Sequence, residues 1–103
     1  MTPRMCPAIT VFSFLSRRWT MLILKTIYEG TSTFNAIKKK LATISSRTLS
    51  ERLKELEDFQ MVKRQIISEK PLKMEYQLTE KAKSLKPYLE KIGEWAIKWE
   101  SKS

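Results

Sequence analysis

Histidine is absent from this 103-residue sequence, cysteine occurs once and glycine twice. Each shortage removes a class of chemistry. Without histidine there is no imidazole for a Ser-His-Asp triad or for the usual zinc shell. A lone Cys6 can neither close an intrachain disulfide nor build a thiolate cluster. With only Gly30 and Gly93, no phosphate-cradling loop or dinucleotide fingerprint can be written. Carboxylates are present, but most alternate with Lys or Arg in the manner of a solvated face. The expectation is therefore a protein that is not an enzyme, with no catalytic residues, metal or cofactor. No apolar run approaches the roughly 18 residues that a membrane helix requires, and no helix segregates basic and apolar faces clearly enough for a membrane surface, so no membrane partner is expected. The beginning, MTPRMCPAITVFSFLSRR, imitates a signal peptide, but it lacks a small-x-small cleavage site and Arg17-Arg18 follow at once. With a single cysteine, this points to a reducing, cytoplasmic location.

Acidic residues are also scarce, and unevenly so. Residues 1–50 carry eight Lys/Arg against one acid, a net of +7, whereas residues 51–103 carry twelve against ten, a net of +2. The whole chain stands at +9. That asymmetry suggests a polyanionic partner, nucleic acid or an acidic membrane surface. The apolar share of 42% is enough for one core and the length leaves no room for a second, so residues 1–103 form a single domain. A core this small gains from oligomerisation.

The apolar pattern then gives the elements. Pro7 to Leu15 is too densely apolar for a one-sided helix and implies a segment covered on more than one side. Trp19, Leu22, Ile23 and Ile27 recur at helical spacing, with Gly30 at the stop position. Thr33 can cap a third helix with Phe34, Ile37 and Leu41 inward. In ISSRTLSERLKELE, Ser45 or Ser46 can cap a fourth helix, whose Leu49, Leu53 and Leu56 share one side. The period then changes: Val62–Ile67 is β-branched, and Leu72, Met74, Tyr76 and Leu78 alternate with polar residues across a Ser-Glu-Lys-Pro turn. Thr79 opens a last helix with Leu85, Tyr88, Leu89, Ile92, Trp95, Ala96 and Trp99 along one broad stripe. The fold class is mainly α with a small β-hairpin (α+β): a winged helix-turn-helix with an added helix at each end. The helix-turn-helix spans about 33–58, the wing about 62–78, and the dimerisation segments about 5–15 and 80–100.

These residues resemble the HxlR-type winged-helix transcription regulators, relatives of the MarR group. The resemblance is carried by Cys6-Pro7, Trp19 with Leu22-Ile23-Leu24, Gly30, Phe34 to Ile37, ISSRTLSERLKELE, Val62-Lys63-Arg64, Glu75-Tyr76-Gln77-Leu78-Thr79, Leu85, Pro87 and Trp95. It implies a homodimeric regulator that binds double-stranded DNA, and in some members an N-terminal cysteine that senses oxidants or electrophiles. The chain departs from the family at Ser16, Arg17 and Arg18, which replace two glycines and a lysine. It departs again at Thr43, Gln60 and Ala82, which replace glycines. A left-handed backbone at Gln60 is strained without glycine.

The DNA-reading residues expected on this basis are Ser46, Arg47, Thr48, Ser50, Glu51 and Lys54, at the N-terminal part of the second helix of the motif. Arg47 can read guanine through two hydrogen bonds, while Glu51 either accepts from a cytosine amino group or pairs with Arg47 at i,i+4. Lys70 and Lys73 at the wing, Arg64 at its root, Lys38 and Lys39, and Arg17 and Arg18 are candidate phosphate contacts, which set register without reading sequence. Ile9, Phe12 and Leu15 with Leu85, Tyr88, Leu89, Ile92, Trp95 and Trp99 are expected at an interface between two copies, since a monomer rarely exposes so large an apolar patch. Cys6 is a candidate redox-regulatory thiol, because Pro7 begins a helix whose dipole favours a thiolate and Arg4 adds charge. The alternative function is an RNA-binding or protein-docking winged helix without operator specificity. RNA binding is disfavoured because Phe34, Phe59 and the tryptophans occupy core-like positions rather than a stacking surface. No small-molecule effector is identified by these residues.

Overall fold

The computed structural model describes residues 7–100. Five helices and one hairpin follow in chain order: α1 Pro7–Leu15, α2 Thr20–Tyr28, α3 Phe34–Lys40, α4 Ser46–Asp58, β1 Val62–Glu69, β2 Leu72–Leu78 and α5 Glu80–Glu100. Helices α2, α3 and α4 enclose the core, with Ile23, Leu24, Ile27, Ile37, Leu49 and Leu53 all buried. Each large aliphatic side chain buried in this way stabilises the fold by about 1.5–3 kcal/mol relative to exposure. Ile44, also buried, pins the turn between α3 and α4, where its N–H donates to the Leu41 carbonyl at 2.8 Å.

Local chemistry sets the helix ends. Thr33 accepts from the Ala36 N–H at 3.4 Å, and Ser45 accepts from the Thr48 N–H at 3.0 Å, so α3 and α4 each begin on a hydroxyl cap. Helices α2 and α4 stop in the same way. Gly30 N–H donates to Ile27 and Thr31 N–H to Thr26, while Gln60 N–H donates to Glu57 and Met61 N–H to Leu56. Both are Schellman closures, which need a left-handed residue. Gly30 supplies it freely at φ 101°, whereas Gln60 adopts φ 64° with a Cβ in the way. A second left-handed side chain stands at Trp19 (φ 78°), directly before α2, and the sequence pattern does not foretell it.

The hairpin pairs Val62 with Leu78 through Ile66 with Met74, then shifts by a bulge at Ile67 so that Ser68 faces Lys73. A short third edge, missed in the sequence, anchors it: Thr33 bridges Glu75, and the Tyr76 N–H donates to the Ser32 carbonyl at 2.8 Å. The alternation of β2 buries Tyr76 but leaves Leu72 exposed, because the tip projects beyond the body.

Within one chain, helix α1 is covered on one side only: Val11, Phe14 and Leu15 turn inward, with Phe14 stacked on Phe59 at 4.1 Å, while Ile9 and Phe12 stay exposed. One expectation needs correction. Of the tryptophans, only Trp19 packs against the core, and Trp95 and Trp99 are exposed. The reason is common to both. The domain is too thin to cover both sides of its terminal helices. The stripe of α5 accordingly splits, with Leu85 and Leu89 half-buried against their own core and Tyr88, Ile92, Trp95 and Trp99 outward.

Candidate nucleic-acid interface

Helix α4 turns Leu49, Leu53 and Leu56 to the core, which sets Arg47, Ser50, Glu51, Lys54 and Asp58 on its outer side. Its first turn holds no acid, so the positive end of the helix dipole is left unneutralised at Ser46 and Arg47. Thr48 is drawn into the cap, its hydroxyl accepting from the Ser45 hydroxyl at 2.9 Å. Along the outer side the charges are already paired: Arg47 Nε lies 3.2 Å from Glu51, and Lys54 Nζ lies 3.6 Å from Asp58. Exposed pairs at i,i+4 contribute only about 0.3–0.5 kcal/mol, so a phosphate or a guanine edge can displace either acid cheaply.

The remaining predicted cations differ in their freedom. Lys38, Lys39, Lys70 and Lys73 reach no carboxylate among the described residues. Arg64 is held at 3.1 Å from Glu57, which ties the root of the wing to the last turn of α4. Arg17 lies 3.2 Å from Glu55, and the Arg18 guanidinium rests over the Trp19 ring at 5.8 Å. The sequence reading overlooked the partner that organises this corner. Arg52 is largely buried, donates from Nε to the Arg18 carbonyl at 2.8 Å, and reaches Glu55 at 3.2 Å. It fixes the α1–α2 turn to the back of α4. Its signal in the sequence was the i,i+3 spacing to Glu55 on the flank of the leucine stripe.

Burial raises the Tyr28 hydroxyl above its ordinary pKa, and the Tyr28 hydroxyl donates to the Ala82 carbonyl in the first turn of α5. Tyr76, on the buried face of β2, is also raised by burial, with Arg64 lowering it and Glu57 raising it. The same end of α5 is fastened to the α4–β1 link: Thr79 donates to the Gln60 carbonyl at 2.6 Å, and Lys81 Nζ donates to the Phe59 carbonyl at 2.8 Å. These contacts lock α5 onto the helical body at one end.

Comparison with known proteins decides the family. Residues 14–103 match the model described as HxlR-like helix-turn-helix. The chain belongs to the HxlR-like helix-turn-helix family. It is 45% identical over 92% of its length to the HTH-type transcriptional regulator YvaP of Bacillus subtilis (strain 168), covering 89% of that protein. In structure it is similar to the reduced form of the transcriptional regulator YodB from the same species. The two agree with a TM-score of 0.80 and 39% identity, covering 90% of this chain and 92% of that one. The diamide-treated form of YodB superposes with a TM-score of 0.76 at 38% identity, over 93% of this chain and 96% of the other. This HxlR-like chain is thus a winged helix-turn-helix, DNA-binding transcriptional regulator. No helix among the described residues is long and apolar enough to cross a membrane.

Proposed function

We propose that this regulator works as a homodimer on an inverted-repeat operator, with Arg47, Ser50, Glu51 and Lys54 of α4 at the base edges. Ser46 and the cap at Thr48 lie next to the backbone, and Lys38, Lys39, Lys70 and Lys73 neutralise phosphates. Arg64, Arg17 and Arg18 are already engaged within the chain and act chiefly in holding the reading surface. The observation that carries the assembly is the exposed apolar surface on both terminal helices, with Phe12 at 67% and Tyr88 at 69% exposure on one chain. Ile9, Ile92 and Trp95 extend it, Trp99 adjoins it, and Leu15, Leu85 and Leu89 form its inner margin. A second copy covers such a surface by symmetry and sets two recognition helices about one DNA turn apart.

Cys6 lies outside the described residues, directly ahead of Pro7 at the start of α1. We assign it the role of a regulatory thiol, supported by the likeness to YodB, which has been solved in reduced and diamide-treated forms. With one cysteine per chain, oxidation yields a sulfenic acid, a mixed disulfide or a bridge between chains.

Selection of bound duplex from a random pool tests the reading. An inverted repeat should emerge and win by about 10³ or more over random duplex, with log affinity falling steeply against log salt. Equal affinity for every duplex, or a preference for single-stranded RNA, defeats it. The thiol is tested by titrating Cys6 alkylation against pH and comparing operator affinity before and after diamide. A pKa below about 8.5 together with altered affinity is expected.

A further inference from the structure

The wing carries apolar side chains where phosphate contacts alone give them no purpose. Alternate residues of a strand share a face, so Leu78, Tyr76, Met74 and Leu72 form one row on β2, with Val62 and Ile66 opposite on β1. At the base this row belongs to the core, and Tyr76 is only 8% exposed. Towards the tip it leaves the body but stays apolar: Ile66 is 55% exposed and Leu72 66%. The bulge adds Ile67, also exposed, to the same end of the hairpin. An exposed apolar strand end invites aggregation, and sequences normally blunt it with polar residues. Here the tip carries Lys70 and Lys73, which have no carboxylate partner among the described residues, beside Glu69, which faces Leu72 in register, while Lys63 stands at the root opposite Gln77.

We propose that the wing tip is an apolar wedge: Leu72 and Ile67, flanked by Lys70 and Lys73, enter the minor groove beside the half-site and open one base step. The occupant is DNA because it alone, among surfaces this regulator meets, offers apolar sugar walls and base faces between rows of phosphates. Leu and Ile are side chains that wedge base steps in minor-groove proteins. The Arg64–Glu57 pair joins the wing root to α4, so wedge and recognition helix approach the duplex as one body. Affinity then depends on flanking bases that no side chain hydrogen-bonds, since pyrimidine–purine steps open easily and A-tracts resist. The inference rests on the wing lying against DNA, as proposed above.

The experiment uses the full chain and the selected operator, with 2-aminopurine at the flanking step. Wild type should raise the probe's fluorescence, bend the fragment, and bind TA-flanked sites about tenfold tighter than A-tract-flanked ones. Leu72→Ser and Ile67→Thr, both at exposed positions, should lose the fluorescence rise, the bend and the flank preference while keeping half-site specificity. Lys70→Ala should lower the salt slope and keep the flank preference. If Lys70→Ala lowers the slope but the apolar variants behave as wild type, the wing touches DNA and the wedge is wrong. If none of the three changes anything, the wing does not lie on DNA and the underlying reading fails with it. A Leu72→Ser variant that alters sedimentation but not binding assigns the row to a second copy and overturns the proposal.

Discussion

Helices α4 and α5 are both amphipathic, and their apolar stripes end in opposite situations. On α4 the stripe is covered by the same chain, and Leu53 is 1% exposed; on α5 the distal stripe is bare, and Trp95 is 64% exposed. Leucines at α4 spacing fit between α2 and the hairpin, which a thin domain can supply. The tyrosine and tryptophan of α5 are broad, and the body reaches only its first turns, at Ala82, Leu85 and Leu89. An identical periodicity therefore means a core in one helix and, by our proposal, a partner surface in the other.

The contrast is sharpest in Leu53→Ala. It leaves a cavity among the α4 leucines and should cost about 2–5 kcal/mol in urea unfolding, with DNA binding lost as the fold is lost. Trp95→Ala should leave the helical content of the single chain intact and weaken dimerisation by about 2 kcal/mol or more, read by sedimentation. A Trp95→Ala chain that unfolds as readily as Leu53→Ala would erase the difference between the helices. Arg47→Ala tests the outer side of α4 rather than its stripe. It should lose about 1–3 kcal/mol of operator binding and relax one base position, with melting unchanged.

Tyr28→Phe addresses the fastening of α5 to the body. It should cost about 1 kcal/mol, since the Ala82 carbonyl loses its donor. The pH dependence has a defined sign. Burial raises Tyr28 and Tyr76 above the ordinary value of 10.0, so the unfolded chain ionises first. Their contribution is complete below pH 10 and is lost as pH rises through 10 towards the folded values. Tyr28→Phe should shrink that alkaline loss in melts taken across the range. The smallest effect is a gain: Gln60→Gly should stabilise by about 0.5–1 kcal/mol by relieving the left-handed side chain at the end of α4.

Much of the outer side of α4 was legible because it rests on local rules. Ser45-Ser46 before a leucine period placed the start of α4 to within a residue, with the cap observed at Ser45, and the period set Arg47, Glu51 and Lys54 outward. The Arg47–Glu51 pair is one of the two roles that the spacing offered Glu51. Arg52 was not legible as an organising residue, because its carbonyl partner, Arg18, is distant in sequence and contributes a backbone atom that has no signature. Nor was Arg64–Glu57, where the carboxylate and the guanidinium meet only after the chain has turned from helix to strand.

The sequence by itself determined the order of elements, the hydroxyl caps of α3 and α4, and which side of α4 is apolar, because these depend on neighbours within a few residues. The resemblance to the family, rather than the sequence alone, marked the left-handed stop at Gln60. Only the tertiary structure decided which apolar sides find cover. That depends on how far the body extends in space: far enough to bury Leu53, Tyr76 and Ala82, and not far enough to reach Trp95 or Leu72. Periodicity records that a side chain avoids water, and the reach of the fold sets which molecule excludes that water.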